Sequence, residues 1–233
     1  FELIDGMFAI AIYDIEKKKL VISRDSLGIK PLYYVLKNQR LYFSSDLNSL
    51  FNIDFVSKKI NLNSLKKYLT YGVNFGKPSM YENIDKVDPC EIIIFDLYKK
   101  KLEHKYFNQY KEEPYNDITD SLEESVLNTL SSKRKPCLLI SGGIDSNIIY
   151  SISKLNQIGL TTLSTIFETK EESANADALI ARKNVDKSNH IELNINFNTY
   201  LDLIETSPSK LHEPKYNKNQ EMYNYVFGHM AKN

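Results

Sequence analysis

Four apolar residues, Cys137-Leu138-Leu139-Ile140, run without a polar break into Ser141-Gly142-Gly143, and Asp145 and Ser146 follow at once. A short, continuous apolar run of this kind is the pattern of a strand buried on both faces, as in parallel sheets. Beyond it Ile148, Ile149, Ile152 and Leu155 recur at helical spacing, with Gly159 just past them as a stop. The glycine pair therefore occupies a tight strand-to-helix turn, where backbone N–H groups and the positive end of the helix dipole converge. Glycines suit such a turn by allowing positive φ and close approach of a ligand, and Ser141 and Ser146 add hydroxyl donors. That is an anion site. A carboxylate inside it makes sense once a cation is included: Asp145, at the helix start, is placed to hold Mg²⁺, which binds one or two carboxylates together with phosphate oxygens. The turn reads as a site for nucleotide phosphate with magnesium, although it lacks the G-x-x-x-x-G-K-[ST] spacing of a Walker loop. The alternative is an ordinary strand-to-helix turn in which Asp145 only caps the helix.

The surrounding pattern sets the fold around this turn. Asp120 and Glu123 have the spacing of a capping box, and Ile118, Leu122, Val126 and Leu130 form a helical stripe. Strand 137–141, helix 146–157, strand 160–167, a helix around 174–184, strand 190–195 and helix 197–205 then alternate, which specifies a parallel α/β sheet with crossover helices. Ligands of such sheets lie at the carboxyl ends of the strands, where the Ser-Gly-Gly turn falls. Residues 1–110 are written differently. Apolar runs flank polar tips at 15–19, at 37–40 and at 99–101, a series of hairpins. The near-continuous apolar character of 7–13 predicts a sheet covered on both faces. One helix, with Leu62, Leu65 and Leu69 on one face, ends at Gly72. The expected organisation is an antiparallel domain with helical cover over 1–110, a polar linker at 111–116 and a parallel α/β domain over 117–233.

Composition excludes several functions. Lysine plus arginine and aspartate plus glutamate number 30 each, a balance that gives no support for a nucleic-acid partner. The sixteen tyrosines lack basic interleaving and are better explained by packing. No apolar stretch is long enough to span a membrane, and none is expected to act as a signal peptide. Cys90 and Cys137 both fall in apolar, strand-like runs, which predicts buried, reduced thiols in a cytoplasmic protein, neither of them a nucleophile.

The order of these motifs resembles the glutamine-hydrolysing asparagine synthetase family across nearly the whole chain. "LIDGMFAIAIYD", "SRDSLGIKPLYY" and "LYFSSDLNSL" look like the late part of its glutaminase domain, and "CLLISGGIDSN" looks like its ATP pyrophosphatase loop. The resemblance implies part of an Ntn-type antiparallel sandwich followed by part of a Rossmann-like ATP pyrophosphatase domain. It implies ATP and Mg²⁺ as cofactors and glutamine and aspartate as substrates, and leaves a homodimer open. Ammonia from glutamine would be transferred to a carboxylate activated by adenylation. Carried over by position, Ser141, Gly142, Gly143, Asp145 and Ser146 would bind pyrophosphate, with Asp145 on Mg²⁺. Leu139 and Thr165 would contact adenine. The family's nucleophilic cysteine would lie upstream of Phe1 and its second pyrophosphate motif beyond Asn233, so the chain reads as an internal fragment with no catalytic residue of the glutaminase reaction. Relatives acting on surface sugars or closing lactam rings share the loop, and a degenerate, non-catalytic copy is a further reading. Cys90 stands where the family has glycine, and Asn147 where a second hydroxyl is common. Arg24 and Asp25 are expected to form a structural pair supporting the Gly28 turn, and His190 to be a structural residue at a strand edge.

Overall fold

The computed structural model describes residues 1–107, 117–131, 135–169, 172–206, 213–214 and 220–230. The expected linker at 111–116 lies outside them. Two compact units result, one within 1–112 together with 213–214, the other within 113–210 and 217–233.

The first unit is built from hairpins. β1 (Ala9–Asp14) and β2 (Lys19–Arg24) pair antiparallel from Ala9 opposite Arg24 to Asp14 opposite Lys19. β3 (Tyr33–Lys37) and β4 (Arg40–Ser44) meet through Asn38 and Gln39, both at positive φ (51° and 58°), the tight turn whose twist matches that of its strands. Two helices follow, α1 (Leu47–Phe51) and α2 (Leu62–Tyr71). The Asn61 side chain caps the start of α2, and Gly72, at φ 73°, ends it. β5 (Asp85–Lys86) extends the sheet to the order β4-β3-β5, while β6 (Glu91–Asp96) and β7 (Lys101–Tyr106) complete a second antiparallel sheet, β1-β2-β6-β7. Ile22 and Ile93 from one sheet share a core cluster with Tyr34 of the other and with Leu32 and Val87. Glu91 is fully buried and made tolerable there by three donors: Lys77 at 2.5 Å, His104 Nδ1 at 2.7 Å and the Asp88 N–H at 2.8 Å. Glu213 also belongs to this unit, its carboxylate accepting from the Met80 N–H at 2.7 Å.

Three expectations for this half are corrected. β1 is an edge strand and mostly exposed, with Ile12 48% accessible, so its apolar character does not mark two covered faces. Leu62 and Leu69 point outward, and the buried residue of α2 is Ser64. Cys90 is not in a strand. It sits in the turn before β6 at φ 61°, a left-handed conformation that glycine adopts freely and cysteine does not.

The second unit runs α3 (Ile118–Leu130), β8 (Cys137–Leu139), α4 (Ile144–Leu155), β9 (Thr161–Phe167), α5 (Ala176–Asn184), β10 (His190–Ile195), α6 (Phe197–Thr206) and α7 (Gln220–Met230). Its three strands are parallel, in the order β10-β9-β8, and β8 does not join the sheet of β1. Alternation along the strands splits the core in two. Leu138 and Ile140 pack with Tyr150, Ala181 and Val185 on one face, while Cys137, Leu139, Leu163 and Leu193 meet Val226 of α7 on the other. The cap of α3 is Asp117, whose side chain accepts from the Thr119 N–H, so the Asp120–Glu123 spacing lies inside the helix instead of forming its capping box.

Candidate functional site

At the carboxyl end of β8 the chain makes the turn that its sequence predicts, but the glycines are there for a different reason. Neither Gly142 nor Gly143 has a positive φ. A Cβ on Gly142 would stand 2.8 Å from Ile180 Cβ and 2.9 Å from the Asp177 carbonyl oxygen, so this glycine is required by the approach of α5. Gly143 is the N-cap of α4 and provides no side-chain cap.

The turn is braced from within. Ser146 Oγ accepts from the Ser141 N–H at 3.2 Å and lies 2.9 Å from the Ser141 carbonyl, to which it donates. Ser141 Oγ in turn accepts from the Gly143 N–H at 3.3 Å. The two hydroxyls expected to face an anion are thus engaged in shaping the loop. Asn147 continues the brace: its amide donates to the Gly143 carbonyl at 2.8 Å, and its oxygen accepts from Asn184 of α5 at 3.0 Å. A second hydroxyl at this position would be too short to span both.

Asp145 is different. It lies in the first turn of α4, is exposed, and among the described residues no hydrogen bond or ion pair engages its carboxylate. It does not cap the helix: Gly143 is the N-cap, and no side-chain cap hydrogen bond is made. The N–H groups of that first turn have no intrahelical carbonyls to meet, and the dipole adds positive potential.

Beside the turn opens a cavity of about 320 Å³. Leu139, Ser141 and Thr165 line it, while Gly142, Gly143, Asp145 and Ser146 stay outside its wall, in the turn itself. Sequence reading missed Ser164, Asp177 and Tyr223, which also line it. Asp177 carries no motif, and Tyr223 belongs to a helix whose register against the sheet only packing decides. The far wall is Phe167, whose peptide is held at both ends by one side chain: Asn175 accepts from the Phe167 N–H and donates to its carbonyl, each at 2.8 Å.

The donor set fits the ligands that the motif implies. Among the described residues no three His, Cys, Asp or Glu side chains gather to hold a metal. A magnesium ion needs no such cage, because one carboxylate and phosphate oxygens suffice. Asp145 could supply that carboxylate, and the cavity is of a size suited to a small ligand.

The other singled-out residues are structural. Asp25 is 1% exposed and accepts from the Ile29 and Lys30 N–H groups at 2.8 and 3.0 Å. Burial pushes its pKa up, but these and other backbone donors pull it below the ordinary value. Arg24 donates to the Lys30 carbonyl at 2.6 Å, to the Val87 carbonyl at 2.9 Å and to the Gly28 carbonyl. The two side chains hold the same turn through separate hydrogen bonds, and the Asp25 charge also attracts Arg24. Burial raises the pKa of both cysteines, the opposite of what a thiolate nucleophile requires. Among the described residues no helix is long and apolar enough to cross a membrane.

Comparison with known proteins agrees with this division. Residues 1–107 match a family model described as a glutamine amidotransferase domain, and residues 117–233 match one described as asparagine synthase. The chain is 29% identical to a putative glutamine-hydrolyzing asparagine synthetase 2 of Methanocaldococcus jannaschii over 71% of its own length and 35% of the relative's. It is 33% identical to asparagine synthetase B of Escherichia coli over 65% of its length and 24% of the relative's. With asparagine synthetase 1 of Bacillus subtilis the figures are 29%, 70% and 27%. The chain thus spans about a third or less of these relatives.

Proposed function

Since the chain belongs to the glutamine-hydrolysing asparagine synthetase family, we propose that it is part of an ATP-dependent amide-forming ligase in which glutamine-derived ammonia is joined to an activated carboxylate, that of aspartate. The observation that carries this reading is the uncommitted Asp145 carboxylate at a braced strand-to-helix turn beside the cavity. In this reading the antiparallel sheets belong to an Ntn-type glutaminase sandwich, and the parallel sheet to a Rossmann-like pyrophosphatase fold. Two free thiols with raised pKa are in keeping with a cytoplasmic setting.

Each part of the site then has a task. Leu139 and Thr165 flank adenine in the cavity, and Ser141 stands at the passage from cavity to turn. Gly142 brings its backbone N–H to the pyrophosphate, while Gly143, whose N–H is taken by Ser141 Oγ, holds the turn in shape together with Ser146 and Asn147. A loop fixed before the reaction stabilises developing charge without reorganising. Asp145 would hold Mg²⁺, which when bound would supply positive charge beside the phosphate oxygens.

The test is Asp145→Asn, made in a chain extended to the length of the relatives. Loss of a metal-held transition-state contact costs several kcal/mol, so ATP–pyrophosphate exchange should fall by orders of magnitude while glutamine hydrolysis continues. Exchange within about twofold of wild type, a change on the order of RT, would overturn the assignment. Supplying aspartate, other amino acids or sugar acids in the same exchange assay identifies the acceptor, since only the true acceptor drives exchange.

A further inference from the structure

Two neighbouring turns of the first unit are written in nearly the same letters. Asp14-Ile15-Glu16-Lys17-Lys18-Lys19 leads from the end of β1 into β2, and Asp96-Leu97-Tyr98-Lys99-Lys100-Lys101 leads from the end of β6 into β7. In each the aspartate closes its own turn. Asp14 accepts from the Glu16 and Lys17 N–H groups at 3.1 and 2.9 Å, and Asp96 from those of Tyr98 and Lys99, both at 2.9 Å. In each the middle lysine, Lys18 or Lys100, is left-handed (φ 51° and 54°), a place that glycine would fill with less strain. Because β2 pairs with β6, the two turns lie side by side: Lys19 stands opposite Asp96, and the Leu97 N–H donates to the Lys18 carbonyl at 3.0 Å. Asp14, Lys19, Asp96 and Lys101 follow one another across the four strands and offset each other in sign. The flanking Glu103 is paired with Lys105 at 2.9 Å. Beyond that row the turns carry Lys17, Lys18, Lys99 and Lys100 against the single carboxylate of Glu16. Ile15 and Tyr98 stand out among them, 67% and 76% exposed.

We propose that these paired tips are a contact surface for an anionic lipid bilayer, on which the first unit rests reversibly without crossing it. The charges of the chain balance overall, so a surplus gathered at one end of one sheet creates a field of its own. The chemistry of the tips selects the partner. Every cation in them is lysine, a point charge without the planar fork with which arginine reads single phosphates or carboxylates. Such charges match a diffuse negative surface. Tyr98 and Ile15 add what a soluble polyanion would not use. A tyrosine ring sits at headgroup depth, and an aliphatic side chain enters the acyl boundary below it. The lysine stems lie along that boundary while their ammonium groups stay in water. None of these residues belongs to the unit that holds Asp145, so the contact concerns where the protein works and not the reaction itself.

The test is cosedimentation, with phosphatidylcholine vesicles containing or lacking phosphatidylserine, of a chain extended to the length of the relatives. Binding should require phosphatidylserine and fade as salt is raised. A lysine near such a surface is worth about fivefold in partition, so Lys17→Gln, Lys99→Gln and Lys100→Gln together should weaken binding by roughly two orders of magnitude. Lys154→Gln, Lys183→Gln and Lys187→Gln remove the same charge from exposed places in the other unit and together should cost less than about fivefold. Ile15→Ser with Tyr98→Ser should weaken binding about tenfold while the salt dependence stays. ATP–pyrophosphate exchange and native circular dichroism should be the same in every variant. Equal binding to both kinds of vesicle, binding to neither, or an unchanged affinity in the Lys17, Lys99 and Lys100 variant overturns the proposal. So does an affinity unmoved in the Ile15 and Tyr98 variant, or tighter, lysine-dependent binding of a short DNA duplex or of polyglutamate, either of which assigns the tips to a soluble polyanion.

Discussion

Two turns in this molecule carry nearly the same letters and use them in opposite ways. In the turn 25–30 the acid points inward. Asp25 is 1% exposed and its carboxylate is occupied by the N–H groups of its own loop. In the turn 141–146 the acid points outward, and the loop is braced instead by a hydroxyl and an amide, Ser146 and Asn147. The first turn has used its charge to build itself. The second is built without it, which leaves Asp145 free to meet something else. Glycine makes the same distinction. Gly28, at φ 63°, is needed for its backbone conformation, while Gly142 is needed because α5 leaves no room for a Cβ.

The contrast predicts that stability and chemistry separate between the two acids. Asp25→Ala strands two N–H groups of the loop, at about 1–3 kcal/mol each, so the first unit should lose roughly 2–6 kcal/mol in urea unfolding. Asp145→Ala should change unfolding of the second unit by less than about 0.5 kcal/mol, as an exposed side chain with no partner among the described residues does. A large loss at Asp145 would erase the comparison. Next in size is Gly142→Ala. Its Cβ meets backbone and a branched side chain, not a flexible tip, so α5 must shift at a cost of about 1–3 kcal/mol, and ATP affinity should fall with it. Unchanged stability and affinity would mean that α5 does not fix the turn.

The smallest effect is a pH dependence of the second unit. Burial holds the folded His190 below its ordinary pKa of 6.5, with Glu192 opposing. Between the two values the unfolded chain binds a proton that the folded chain does not, so the stability is whole above about pH 6.5 and is lost as pH falls through the folded value. Thermal melts from pH 8 to 5 should show this decline in wild type and a shallower one in His190→Gln. Equal slopes would assign the titration elsewhere.

Much of the fold was legible in the chain because its signals are local. The hairpin tips, the stop at Gly72, and the change to helical periodicity in the second half each depend on neighbours a few positions away. The strand-to-helix turn was legible for the same reason. What misled was apolar content read as burial: β1 is an exposed edge and Leu62 and Leu69 point outward, since a hydrophobic residue states a preference, and only the packing of other elements satisfies it.

The division at the candidate site follows the same physics. Sequence alone determined that residues 137–146 would leave a buried strand, turn tightly and present Asp145 at the start of a helix, because φ, ψ preferences and spacing act within a few bonds. Tertiary structure decided the rest. It set α5 against Gly142, tied Asn147 to Asn184 of α5, brought Ser164, Asp177 and Tyr223 to one cavity, and placed His190 across two hydroxyls. These contacts join residues tens of positions apart, and no local preference encodes them. They arise only when helices pack on a sheet at a distance and register that the whole core dictates.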